Sequence, residues 1–368
     1  MNEVAKKKVK AIVIVFLVSS IVIYVVLDRL KVFSTPSKPV IEQNKSSEKA
    51  VLSPTAIKVT EMMQQLDESL IRDYIEKLSS FGPHPTARRI PYKLSNRPII
   101  GRFFDLPIEK VARYIYNEFE STGLEVRYHS WKQEPTLRNL LVSIYYKLLL
   151  SWYPPGWLVG DNIEATLPGT NESSDEIYVL VAHYDTRPNI VGANDDSSGV
   201  ALLLAAAKLM SQYSFDHTVR FVAVSGEEEG LLGSHAYAEE AAKNKDNIAA
   251  VFNVDMIGNR GPGYRNTEVI MAVDNESWIV NYTENVNKRY PEFLNFTIIK
   301  ENPMEEESDQ KSFLKYGYDA VGIAEATQDY DWHRKSDIIK NMDLSYTTDV
   351  SRLVLATVAE MAWDVEYK

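Results

Sequence analysis

From about residue 58 onward, short and nearly continuous apolar runs alternate with helix-periodic stretches. In "IEKVARYIYNEFES", Ile108, Val111, Ala112, Ile115 and Phe119 recur at the spacing of one helical face. "EIYVLVAH", "TVRFVAVSG", "IAAVFNVD" and "DAVGIAEA" are apolar runs of strand length bounded by turn residues. Such runs suit strands covered on both faces, and the helical stretches between them suit crossovers. The pattern predicts an α/β fold, with a mixed, mostly parallel central sheet sandwiched between helices. No internal repeat shows at periods of about 20 to 50 residues.

Two stretches break this rhythm. Residues 137–160, "LRNLLVSIYYKLLLSWYPPGWLVG", are apolar and aromatic but interrupted by Lys147 and the Pro154–Pro155 pair, which is too broken for a membrane span. They read as a core strand pair, with a hydrophobic flap over a site or against a membrane as the alternative. At the other end, Lys6, Lys7, Lys8 and Lys10 precede an uncharged, mainly apolar run from Ala11 to Leu27. As a helix that run spans about 25 Å, near the short end of a membrane crossing. It has no polar face, as a core helix would, and no small-residue cleavage site before "DRLKVF", as a signal peptide would. The expectation is an N-terminal transmembrane helix whose leading lysines stay in the cytoplasm, placing the rest outside.

The chain therefore divides into a cytoplasmic N-terminus and anchor (1–33), a Pro-, Ser- and Lys-rich tether (34–57) and one large domain (58–368). N-x-Ser/Thr triplets begin at Asn44, Asn171, Asn275, Asn281 and Asn295, a mild hint of glycosylation outside the cell. The 368 residues are 45% hydrophobic and 25% charged, ordinary for a globular protein. A net charge of -11 argues against non-specific nucleic-acid binding. With no cysteine, thiolate nucleophiles and thiolate metal sites are excluded, so a bound metal must use His, Asp and Glu.

In open α/β sheets, ligands bind beyond the carboxyl ends of the strands. Each unusual polar cluster here falls at such an end. His183 and Asp185 follow "IYVLVA", Glu227, Glu228 and Glu229 follow "VRFVAVSG", Asp255 follows "IAAVFNV", and His333 lies in the loop after "AVGIAEA". Singly, each has an ordinary reading. Asp196 or Ser197 suits a helix N-cap, and acids suit a first helical turn. Jointly they offer imidazole and carboxylate to one crevice, a donor set suited to catalytic zinc. Two such ions need a bridging group between them, and Asp195 is the candidate. Asp185, two residues from His183, is placed to accept the other imidazole N–H and orient that ligand.

In this order, "HYD", "GANDDSSG", "GEEEGLLGS", "NVDMIG" and "WHRKSD" resemble the co-catalytic zinc aminopeptidase family, whose fold is shared by glutamate carboxypeptidase, glutaminyl cyclase and the non-enzymatic transferrin receptor. The resemblance covers roughly residues 60–365. It implies two zinc ions, one held by His183 and Asp255, the other by Glu228 and His333, with Asp195 shared. It also implies Glu227 as general base beside the ligand Glu228; a register slip of one would rename both roles and bring in Glu229. Peptide substrates and release of N-terminal residues follow from the same resemblance, with a cyclase or a non-catalytic binding protein as the alternatives. Gln310, in "ESDQKSF", stands where the resemblance would put a histidine.

Overall fold

Residues 53–85, 88–91, 106–133, 156–259, 268–272, 277–301, 308–326, 329 and 331–363 are described by the structure, a computed structural model. The strands are β1 (Arg88–Pro91), β2 (Glu125–Gln133), β3 (Gly156–Leu167), β4 (Ile177–His183), β5 (Thr218–Val224), β6 (Ile248–Val254), β7 (Glu268–Ala272), β8 (Thr297–Glu301) and β9 (Ala320–Glu325). The helices are α1 (Pro54–Gln65), α2 (Glu68–Ser79), α3 (Pro107–Ser121), α4 (Ser197–Met210), α5 (Leu232–Asn244), α6 (Trp278–Arg289), α7 (Gln310–Lys315) and α8 (Leu344–Ala362).

The strands lie in the order β1-β3-β5-β4-β6-β9-β7-β8, with β2 also paired to β3. The central four, β5, β4, β6 and β9, are parallel. Antiparallel pairings flank them, β3 on β5 and β7 on β9. The sheet is thus mixed with a parallel centre, as the apolar runs predict.

Strand β4 explains why those runs are nearly continuous. All seven of its residues are buried. Tyr178, Leu180 and Ala182 pack into one core with α1, α2, α3, α4 and α8. The alternate residues Ile177, Val179 and Val181 pack with Tyr237, Ala238 and Ala241 of α5 and Phe313 of α7 on the other face. A two-residue period with both faces covered leaves no polar side to the strand.

Helix α4 is apolar all round for the same reason: every residue except Lys208 is buried. Its Gly199 lies against the main-chain oxygen of Val254, where a Cβ would collide. Helix α3 buries Ile108, Val111, Ala112, Ile115 and Phe119, the five positions that its periodicity selects.

The domain begins ahead of the expected residue 58. Ser53 caps α1, accepting from the Ala56 N–H, and Pro54 opens the helix. A Ser-Pro pair has linker composition, yet it is also a favoured helix start, with proline's fixed φ pre-set for the first turn. The described residues cluster as one compact unit. The expected anchor and most of the tether lie outside the described residues, as do residues 137–155 of the aromatic stretch. Of that stretch, residues 156–160 open β3. Among the described residues, no helix is long and apolar enough to cross a membrane. Asn171, Asn281 and Asn295 are exposed, whereas Asn44 and Asn275 lie outside the described residues.

Candidate metal centre

His183 is the last residue of β4, and Asp255 directly follows β6. Glu227 and Glu228 lie just beyond β5, and His333 lies beyond β9. Because these four strands are adjacent and parallel, their loops open on one edge of the sheet. Two groups of converging donors result: His183, Asp196 and Asp255, and beside them Asp195, Glu228 and His333. Within each group the donor atoms lie within 4.8 Å of one another.

The spacings have the size of a coordination shell. Donors about 2.0–2.2 Å from a tetrahedral zinc stand about 3.3–3.6 Å from each other. His183 Nε2 is 3.2 Å from Asp195 Oδ1 and 3.5 Å from Asp255 Oδ1. His333 Nε2 is 3.4 Å from both Asp195 Oδ2 and Glu228 Oε2. Asp195 therefore turns one oxygen toward each histidine.

His183 Nδ1 lies 3.1 Å from the main-chain oxygen of Asp185 and 3.7 Å from its carboxylate. A carbonyl only accepts, so Nδ1 carries a proton and Nε2 is the nitrogen that faces the carboxylates. The orienting group is thus the Asp185 backbone, where the sequence suggests the side chain. The buried carboxylate of Asp185 instead accepts from the backbone N–H groups of Gly226, Glu227 and Glu228, at 2.9, 3.3 and 3.4 Å. It fixes the turn that carries both glutamates.

A second set of contacts holds the remaining donors. Asp337 accepts from the backbone N–H of Asn194 at 2.7 Å and of Asp195 at 3.2 Å. Asp196 caps α4, its Oδ1 accepting from the Gly199 N–H at 2.8 Å. Ser308 donates to Asp255 Oδ2 at 2.6 Å. Asn253 in turn donates to Ser308 and to Gln310. Gln310, in place of the expected histidine, accordingly sits behind Asp255 and supports it through Asn253 and Ser308. Trp332 stacks on the His333 ring, with centroids 4.1 Å apart. Both His333 and Met256 adopt positive φ, 56° and 59°, a left-handed conformation uncommon for these residue types and found disproportionately at functional sites.

The electrostatics describe a site short of positive charge. Burial, with Asp255, Asp309 and Asp185 adding to it against an opposing His183, pushes the Glu227 carboxyl up to about 10. Burial and then Asp195 raise Glu228 to about 8. Burial raises Asp309 to about 7. At His183, burial favours the neutral ring, but the Asp255 charge and close contacts with Asp195 and Asp255 outweigh it and raise the pKa well above its ordinary value.

His183 Nε2, Asp196 Oδ2 and Asp255 Oδ1 are all buried without a hydrogen bond, as is Glu228 Oε1. Buried acceptors facing one another are costly unless a proton or a cation lies between them. The imidazole and carboxylate donor set fits zinc.

Asp195, Glu227, Glu228, Asp255 and His333 line a cavity of about 1170 Å³, together with Arg187, Met256, Ile270 and Trp332, while His183 and Asp196 are buried outside that lining. All six expected metal and base residues, His183, Asp195, Glu227, Glu228, Asp255 and His333, thus come together, with Asp185 directly behind them. Glu229 is exposed and is not among the residues lining the cavity. The sequence reading missed Asp196 as a donor, because the capping role it does perform leaves its second oxygen free. It also missed Asp337 and Asn194, although both fall inside the quoted motifs.

A family model described as peptidase family M28 matches residues 162–358. A probable zinc metalloprotease of Pyrenophora tritici-repentis is 27% identical over 248 residues, 54% of this chain and 56% of that protein. Aminopeptidase Y of Saccharomyces cerevisiae is 30% identical over 204 residues, 51% of this chain and 36% of that protein. The matches to these two relatives therefore span less than two thirds of the relatives' own lengths. Among solved structures, an aminopeptidase from Aneurinibacillus sp. strain AM-1 superposes with a TM-score of 0.65 at 17% identity, covering 83% of this chain and 96% of that one. At that identity the likeness is one of fold.

Proposed function

The chain belongs to peptidase family M28, and on that footing we propose that it is an aminopeptidase with a dinuclear zinc centre, releasing N-terminal residues from peptides. The observation that carries this reading is the pair of adjoining donor groups, with buried, hydrogen-bond-free atoms on His183, Asp196 and Asp255 and one oxygen of Asp195 facing each histidine. In this reading His183 and Asp255 hold one ion, Glu228 and His333 the other, and Asp195 is shared. The free oxygen of Asp196 stands beside the first.

Zinc held there would supply Lewis acidity to the scissile carbonyl and lower the proton affinity of the attacking water. With zinc charge beside it drawing its carboxyl down from about 10, Glu227 would accept that water's proton and return it to the leaving amine. The Asp185 carboxylate keeps Glu227 in range by holding the backbone N–H groups of residues 226–228. Trp332 and Asp337 keep His333 and Asp195 in their orientations. Glu325 and Asp329, also in the cavity lining, give it an acidic wall suited to a substrate's free amino group.

Zinc content per chain, measured beside hydrolysis of free and N-blocked aminoacyl substrates, tests the proposal. Two zinc ions and hydrolysis confined to free amino termini support it. A single zinc with cyclisation of N-terminal glutamine would instead favour a cyclase, and equal hydrolysis of blocked peptides would rule out a strict aminopeptidase. We further propose that residues 11–27 anchor the chain with its N-terminus in the cytoplasm and the peptidase unit outside. Protease added to intact cells should then degrade that unit, and full protection would reverse the topology.

A further inference from the structure

Arg187 lies with Asp185 in the loop that follows His183 at the end of β4, and its side chain is 43% exposed at the cavity. Its Nε–H donates to Glu228 Oε2 at 2.6 Å and also approaches His333 Nε2 at 3.3 Å. One cationic N–H therefore faces acceptor atoms on two of the three members of the Asp195–Glu228–His333 group. For His333 Nε2 to accept, its lone pair must point at the guanidinium, and this is the same lone pair that a metal would use. The first group differs: among the described residues, no arginine or lysine forms an ion pair with His183, Asp196 or Asp255.

We propose that Arg187 is a resident counter-cation of the second donor group and competes with the metal ion for it. The two subsites then load in order, His183–Asp255 first and Glu228–His333 second, the second only as the guanidinium swings away. This rests on reading the two groups as metal subsites. Its physical basis is local. A zinc about 2.0–2.2 Å from His333 Nε2 would occupy the space between that nitrogen and Arg187 Nε, and two cations that close repel strongly. Displacing the side chain costs a charge-assisted hydrogen bond, which weakens the second binding event by about 10-fold or more. Partial exposure makes the displacement feasible, because the freed guanidinium is taken up by water.

Calorimetric titration of the chelator-stripped full-length chain with zinc chloride tests this, comparing wild type with Arg187→Met and Arg187→Lys. In wild type the second event should be at least about 10-fold weaker than the first. In Arg187→Met it should tighten by about 10-fold, with the first event unchanged within about two-fold. Arg187→Lys, which retains a cation without the planar fork, should fall between them and supplies the comparison if the methionine variant folds poorly. One zinc in wild type but two in Arg187→Met would also support competition. A second event of the same affinity in all three proteins, or an equal tightening of both events, would overturn it. A single zinc per chain in all three would overturn the dinuclear reading itself, which stoichiometry reports separately from affinity.

Discussion

Glu227 differs from its two acidic neighbours in what surrounds it. Glu228 pairs with Arg187 and faces His333, Glu229 is exposed, and Glu227 lines the cavity on a turn fixed by Asp185. Glu227→Gln should therefore keep its zinc while kcat falls by about 10²–10⁴-fold, the scale of losing a general base. Metal analysis beside steady-state kinetics checks this, and zinc loss in step with activity would move Glu227 among the ligands. At this scale the sequence was most legible where polar residues interrupt apolar runs. His183, Asp255 and the glutamates stand out because a strand end has no packing need for them. Asp196 was harder to read, since helix capping already explained it. The backbone role of Asp185 was not legible either, because a carbonyl contact leaves no mark on residue type.

Among the elements, α4 links the core to the site most directly. Its N-cap, Asp196, belongs to the first donor group, and its Gly199 abuts both the Val254 carbonyl and the Asp196 carboxylate. Gly199→Ala should force the start of α4 away from β6, destabilising the fold by about 1–3 kcal/mol. First-site zinc affinity should weaken with it, since Asp196 and Asp255 flank the contact. Urea unfolding read beside a zinc titration would check both, and a loss of stability with unchanged zinc affinity would show that the donor group tolerates the shift. The four central strands and α3 were legible at this level from their apolar pattern. The N-terminal boundary was not, because Ser53 and Pro54 carry the composition of a linker and the geometry of a helix start. A chain cut before residue 53 should fold and bind zinc as the full chain does. One cut before residue 58 loses the cap and first turn of α1, with buried Ala56, and should melt at a lower temperature.

On the scale of the whole molecule, a buried ion network away from the site sets a limit at acid pH. Glu164, on β3, bonds to Arg127 on β2 and to Tyr237 on α5, and Arg220 on β5 is close by. Burial alone would raise its pKa, but the Arg127 bond and charge, then Tyr237 and Arg220, hold it below its ordinary value of 4.5. A depressed carboxyl stabilises the fold fully above the unfolded-state pKa and loses that contribution as pH falls through the folded value. Stability of the chelator-treated protein should therefore decline below about pH 4.5. Glu164→Gln should be less stable at neutral pH and show a shallower acid decline, measured by thermal melts across pH; parallel curves for both proteins would assign the acid limb elsewhere. The parallel centre of the sheet has a consequence of its own. The donors at its open edge come from segments as far apart as residues 183 and 333, each hanging from a different strand. Metal bound there would tie separate loops like a drawstring, so its departure would slacken that rim while the opposite one stays taut.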